Sequence, residues 1–395
     1  MIPVIRPLLG AEEAAAAAEA IMSGWVAQGP RVAEFEAAFA EAAFAEAGGS
    51  GHAVAVSSCT AGLHLAMIAA GVGAGDEVVV PSLSFIATAN AARYVGAEAV
   101  FADVDPATLN LTPATVEPVL TERTRAVILV DQAGVPADLD AMRALCDPRG
   151  ITVVEDAACA AGATYRGRPA GAGAILAAFS FHPRKLLTTG EGGMIITPDP
   201  DLAARLRRLR EHGMDVSAAA RHAERQPVIE HYLEVGYNYR MTDVQAAIGL
   251  VQLRRLGDII ARRRQLAQRY QQLLGQIPGV RMIADPAYGT TNFQSFWVAL
   301  PPEFPVTRNE LLQRLAAAGI SARRGIMATH LEPAYAGYRG TADLPVTERL
   351  SSSSVILPLF HQLTRDEQDQ VISAMFDAAG LPSPVDREPT AVAAG

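Results

Sequence analysis

Lysine and arginine together number 33, and Lys185 is the only lysine among them. Arginine stays protonated under ordinary conditions, whereas a lysine amine can lose its proton, attack a carbonyl carbon and form an imine. A sole lysine is therefore a candidate for amine chemistry, and its neighbours strengthen the case. It lies in FSFHPRKLLTTGEGGMIIT, residues 179–197. A strand-like run ends in Ser180, Lys185 follows five residues later, and the glycine-rich GEGG leads into a second strand-like run. Ser180 is placed to bond a phosphate while Lys185 reaches an aldehyde carbon. The glycines allow a tight backbone turn beside such a ligand.

Three further segments carry residues of the right chemical type. SSCTAGLHLAM, residues 57–67, follows a strand and opens a helix, where backbone amides and the helix dipole favour an anion. Thr60 and Ala61 are the phosphate candidates there, although serine and threonine at such a position also serve as plain helix caps. VVEDAACAAG puts Asp156 at the end of a strand expected to be buried. It either caps the next helix or pairs with a protonated pyridine nitrogen, which would keep such a ring an electron sink. Phe85 follows another strand end, as a core residue or as a flat ring stacking on a ligand. Asn238 and Arg240 lie in a polar and aromatic loop that enters a helix. The eight histidines form no HxxxH pair, and Cys59, Cys146 and Cys159 fit neither a zinc spacing nor a disulfide framework. No metal site is expected, and a reducing cytoplasm is the expected compartment.

These residues need a scaffold. Half of the 395 residues are hydrophobic and 19% are charged, which suits a compact enzyme and excludes a disordered chain. No apolar run is long enough to span a bilayer, and the first residues lack the pattern of a secretory signal. The net charge of −9 disfavours nucleic acid as a partner, so the arginine-rich stretches 205–210 and 262–264 read as solvated helix faces. Apolar runs at 52–57, 77–81, 99–104, 125–130, 151–156, 175–181 and 193–197 alternate with helical patterns at 61–70, 86–95, 137–146 and 201–212. Strands apolar throughout and separated by helices predict an α/β fold with a mostly parallel sheet covered on both faces. Ligands on such sheets bind beyond the carboxyl ends of the strands, where the candidate residues fall. A long helix is predicted over 242–274, followed by a smaller α/β domain whose helices start at the capping boxes Thr307/Glu310 and Thr364/Glu367. The division expected is 1–255, 256–380 and a frayed tail, 381–395.

EDAA, SFxxxK and GEGG, in this order and spacing, resemble the DegT/DnrJ-type sugar aminotransferases, of the fold type I, aspartate-aminotransferase-like class. The resemblance runs over roughly residues 1–375, from SGWVAQGPRVAEFEAAFA (23–40) to LPLFHQLTRDEQ (357–368). It implies a pyridoxal 5′-phosphate enzyme that passes through pyridoxamine phosphate, and a homodimer with its active site at the interface. By motif, Lys185 corresponds to the Schiff-base lysine and Asp156 to the partner of the pyridine nitrogen. Thr60, Ala61 and Ser180 correspond to phosphate contacts, Phe85 to the stacking aromatic, and Asn238 to a residue sent to the neighbouring subunit's phosphate. Cys159 stands near the cofactor's phenolic oxygen, where many members carry Gln or His. Asp131 stands where a histidine is frequent, and no role is assigned to it. The implied reaction moves an amino group from L-glutamate or L-glutamine to a keto sugar, nucleotide-linked, in amino-sugar or secondary-metabolite biosynthesis. Trp25, Arg323, Arg324, His330 and Tyr335 are the expected nucleotide or sugar contacts, with residues 212–232 folding over the sugar. Two rival readings are a sugar dehydratase of the same family, which uses histidine where Lys185 stands, and a regulatory protein that keeps the cofactor without turnover.

Overall fold

The computed structural model describes residues 1–45, 51–216, 229–337 and 343–385. Most of the stretch expected to fold over a sugar, and the tail beyond 385, therefore lie outside the described residues.

Fourteen strands among the described residues form three sheets. In chain order they are β1 (His52–Val56), β2 (Glu77–Pro81), β3 (Glu98–Ala102), β4 (Thr124–Val130), β5 (Thr152–Asp156), β6 (Thr164–Tyr165) and β7 (Arg168–Pro169). There follow β8 (Leu176–Ser180), β9 (Gly193–Thr197), β10 (Arg281–Met282), β11 (Gly289–Thr290), β12 (Phe296–Ala299), β13 (Arg323–Arg324) and β14 (Ser354–Leu357). The main sheet has the order β1-β9-β8-β5-β4-β2-β3.

All seven strands of that sheet lie where the apolar runs predict them, within two residues at either end. Side chains alternate strictly between its faces. Ala53, Ala55, Val127, Leu129, Ala177 and Phe179 belong to one apolar core; Val54, Val56, Ala126, Ile128, Leu176 and Ala178 belong to the other. Fully burying one such Val, Leu or Ile contributes about 1.5–3 kcal/mol, so both faces must be covered by helices. One cover, the helix Pro30–Phe44, presents Phe35 and Phe39 one turn apart to Phe181 and Phe179, with ring centres 5.4 and 5.1 Å apart.

The pairings are parallel except those of β9, which is antiparallel to both β1 and β8. A parallel return requires a crossover, usually a helix. The connection from Ser180 to Gly193 has none, so the chain turns back on itself along the sheet edge. That connection carries Lys185. The end of β8, the start of β9 and the carboxyl ends of the other strands therefore share one edge.

The helix Asp243–Leu274 starts at a capping box of Thr242 and Gln245 and runs unbroken past residue 255. Beyond it, β10-β12-β14-β13 form a second sheet, and the capping boxes at Thr307 and Thr364 start helices as expected. The short β11, β6 and β7 form the third sheet. Among the described residues, no helix is long and apolar enough to cross a membrane, and no cluster of three or more His, Cys, Asp or Glu could hold a metal ion.

Candidate active site

A cavity of about 300 Å³ opens at the carboxyl edge of the main sheet. It collects Thr60, Phe85, Asp156 with Cys159, and Ser180 with Lys185 from four separate stretches of sequence. Its size is at the small end of ligand pockets.

Strand β5 delivers Asp156 into the protein interior, where it lines the cavity. Thr88 Oγ1 donates to Asp156 Oδ2 at 2.8 Å, and the Ala158 amide donates to Oδ1 at 3.2 Å. Thr88 is itself held by Ser84, oxygen to oxygen at 2.9 Å. Burial raises the Asp156 carboxyl above the usual carboxylate range, while Thr88, Ala158 and Lys185 pull it back. Among the described residues Asp156 has no ion-pair partner within 4.0 Å. A buried carboxylate with two donors and no cation within ion-pair distance suits a ligand that brings an N–H⁺.

Lys185 reaches the same cavity from the loop between β8 and β9, and its Nζ donates to Cys159 Sγ at 3.0 Å. Burial alone would lower the amine's pKa. The charges of Cys159, Cys59 and Asp156, with the Cys159 hydrogen bond, outweigh burial and raise it. Cys59 is pushed well above the ordinary thiol range by burial and then by the charge of Asp156. The loop is pinned by Gln294, which accepts from the Leu186 amide at 3.2 Å.

The helix Cys59–Ala69 starts at the cavity with Ser58 as its cap. Its first internal bond runs from the Gly62 amide to Ser58, which leaves the Cys59 and Thr60 amides ahead of it as anion donors. The Ala61 amide instead donates to Ser58 Oγ at 3.1 Å, and Ala61 does not line the cavity. Ser58 does, and it belongs with Thr60 and Ser180 as a hydroxyl facing the same space. Gly193 lets β9 start hard against this helix. A Cβ there would lie 2.7 Å from the Cys59 nitrogen and 2.8 Å from the Phe179 oxygen. Gly190, at φ +85°, makes the turn before it.

Phe85 is 64% exposed at the cavity mouth, so it is no core residue. Asn238 does not line its own chain's cavity; it forms an isolated antiparallel bridge with Glu211. Trp25 packs at the junction of Gly29 and Asp243, away from the cavity. His330 and Tyr335 are not brought to it either. His330 Nδ1 lies 2.6 Å from Ser82 Oγ, and its Nε2 lies 3.3 Å from Glu348. Tyr335 is buried against Phe101 and donates to Asn90 Oδ1 at 2.8 Å, with burial pushing its phenol up to about 12. Both tie the 329–335 segment to the sheet. Arg324 is exposed and pairs with Glu332 at 3.3 Å, whereas Arg323 lines a recess beside Lys185.

The sequence reading missed Ser58, Ser84, Thr88, Gln132, His182, Arg184 and Glu191 as cavity residues. Ser84 and Thr88 flank Phe85 in sequence. A hydroxyl pair four residues apart at a strand end was the signal available for them.

Residues 7–376 match the DegT/DnrJ/EryC1/StrS aminotransferase family. Similar solved structures include the aminotransferase TlmJ from Streptoalloteichus hindustanus, at 39% identity over 96% of this chain and 99% of that one, with a TM-score of 0.86. DesV of S. venezuelae, solved with a ketimine intermediate, is 36% identical over 97% of this chain and 99% of that one, TM-score 0.86. A Streptococcus pneumoniae protein assigned as a sugar aminotransferase, in its PMP form, is 26% identical over 96% and 99%, TM-score 0.88. The matched span, the fold and the residues gathered at the sheet edge agree: the chain belongs to the DegT/DnrJ/EryC1/StrS aminotransferase family.

Proposed function

We propose that this aminotransferase uses pyridoxal 5′-phosphate, with pyridoxamine phosphate as its second form, to move an amino group from L-glutamate or L-glutamine to a keto sugar, nucleotide-linked. The observation that carries the reading is the shared cavity of the sole lysine and a buried carboxylate that lacks a cation. The cavity fits the cofactor's groups. Asp156 would hold the ring nitrogen, Ser58, Thr60, Ser180 and the helix start would hold the phosphate, and Lys185 would hold the aldehyde carbon. Phe85 would cover a ring face. When bound, the cofactor supplies an aldehyde that captures amines and a ring that accepts the electrons of a carbanion.

The chain's own residues do the rest. Asp156 would keep the ring nitrogen protonated, and the hydrogen bond from Thr88 favours the ionised form of Asp156 against its burial. With the cofactor bound, the Lys185 amine would be the base placed to take a proton from the donor's α-carbon. Cys159, within 3.0 Å of that amine, orients it. The lysine at position 185 counts against the dehydratase reading.

A homodimer accounts for apolar side chains left uncovered in one chain. Tyr232, Leu233 and Val235 are more than half exposed, and so is Tyr94, whose ring packs on His64 beside Tyr237. Asn238, in the same segment, is assigned to the partner's phosphate. The reading keeps a cofactor lobe, 1–255, a smaller lobe, 256–380, and a cytoplasmic reaction. The sugar as acceptor is supported by the assignment of the S. pneumoniae relative.

The test is a single half-reaction. Holoenzyme mixed with L-glutamate, without acceptor, should lose its visible cofactor band and release one equivalent of 2-oxoglutarate per active site. A holoenzyme unchanged by every amino donor would favour the regulatory reading instead.

A further inference from the structure

A recess of about 150 Å³ adjoins the main cavity and shares Cys159, Arg184 and Lys185 with it. Arg323, on β13 of the second sheet, faces into it, and most of its remaining wall is apolar, including Val4, Ile5, Phe296 and Leu359. The two arginines lie close enough that burial and the charge of Arg184 both lower the Arg323 guanidinium. His182 is lowered by burial, and the charges of Arg184, Lys185 and Arg323 add to that against the pull of Glu191.

Such a cluster of cations is normally compensated. Arg263 shows how: fully buried, it donates to the carbonyls of Phe293, Leu359 and Gln294. Among the described residues, neither the Arg184 nor the Arg323 side chain has a carboxylate within 4.0 Å or a hydrogen-bond acceptor. Arg184 is exposed and Arg323 half-buried, and as two forked donors lining one recess with a largely apolar wall they match the two oxygens of a carboxylate.

We propose that Arg184 and Arg323 clamp the α-carboxylate of the amino donor and so set its α-carbon against Lys185 Nζ. The inference rests on the aminotransferase reading above and deepens it. Arg323 is thereby assigned to the donor rather than to a nucleotide or sugar. The recess has half the volume of the main cavity, enough for a carboxylate and its α-carbon and too little for a nucleotide. A donor carries a carboxylate on the carbon that loses its amine; a keto sugar has none beside its carbonyl.

The experiment uses holoenzyme and the variants Arg184→Gln, Arg323→Gln and Arg323→Lys. Donor half-reactions with L-glutamate, L-glutamine and 4-aminobutyrate are followed at the cofactor band. Binding of succinate, which cannot react, is measured by calorimetry. Each Gln variant should raise the half-saturating concentration of both L-amino acids about 10- to 100-fold and weaken succinate to a similar degree. The Lys variant should recover part of the loss. 4-Aminobutyrate lacks the α-carboxylate, so it should react poorly with the wild type and equally poorly with the variants. Constants for L-glutamate and succinate within twofold of wild type in both Gln variants would overturn the clamp. An equal loss for 4-aminobutyrate and L-glutamate would overturn it too. Wild-type enzyme that releases no 2-oxoglutarate would instead mark failure of the underlying reading, since that outcome does not depend on either arginine.

Discussion

Replacing Thr88 by valine keeps the shape of the side chain and deletes the hydroxyl that donates to Asp156 Oδ2 at 2.8 Å. A hydrogen bond to a charged group contributes about 1.5–3 kcal/mol. Asp156 is buried, so little of that is recovered from water. Its carboxyl already stands above the ordinary range, and Thr88 is the first of the groups that hold it down. Removing the donor must raise it further. Cofactor binding needs Asp156 ionised to face the ring N–H⁺, so affinity falls as pH drops through that pKa. The acid limb of cofactor affinity in Thr88→Val should therefore move up by about one to two pH units, at 1.36 kcal/mol per unit. The assay is a titration of apoenzyme with pyridoxal phosphate, followed by absorbance across pH, with Thr88→Ser as the variant that restores the hydroxyl. Stability should show the opposite pH dependence from cofactor affinity. The folded pKa lies above the unfolded one, so ionising Asp156 costs folding free energy as pH rises, and the valine variant loses most at high pH. An acid limb that does not move, with Thr88→Ser indistinguishable from Thr88→Val, would refute the role given to this hydroxyl.

Three further predictions concern other parts of the site and its support. Lys185→Arg keeps a cation and should keep the fold, with a melting temperature close to wild type, yet lose transamination; measurable turnover in that variant would remove the lysine from the mechanism. Gly193→Ala forces a Cβ against fixed backbone and should cost about 1–3 kcal/mol in urea unfolding, because nothing flexible can yield; an unchanged midpoint would mean the helix start is looser than described. Asp131 is buried beside Glu155, and burial together with that neighbouring charge holds its carboxyl well above the ordinary range. The folded state therefore keeps a proton that the unfolded chain releases, and stability should decline as pH rises above the ordinary carboxylate range. Asp131→Asn should flatten that decline in melting temperature between about pH 5 and 8.

Much of this was legible in the chain. Buried strands such as Val78–Val80 and Ile128–Val130 announce themselves because both faces need apolar side chains, and Thr307 with Glu310 or Thr364 with Glu367 mark helix starts through local bonds alone. The direction of β9 was not legible, since GMIIT reads equally well either way; only the absence of a helix between Ser180 and Gly193 decides it. Two-residue strands such as β6, β7 and β11 carry too few residues to show a period. Lys185 and Asp156 stood out because their chemistry is unusual where they sit. His330 and Tyr335 did not reach the cavity because Ser82, Glu348 and Asn90 hold them elsewhere, which is a tertiary fact. Arg184, adjacent to Lys185 in sequence, became informative only once β13 brought Arg323 beside it.

With one lysine in the chain, the central claim reduces to a mass measurement. Holoenzyme reduced with borohydride should gain one phosphopyridoxyl group per chain, carried by the peptide containing Lys185. A holoprotein that gains no mass, or gains it at the amino terminus, would contradict the account.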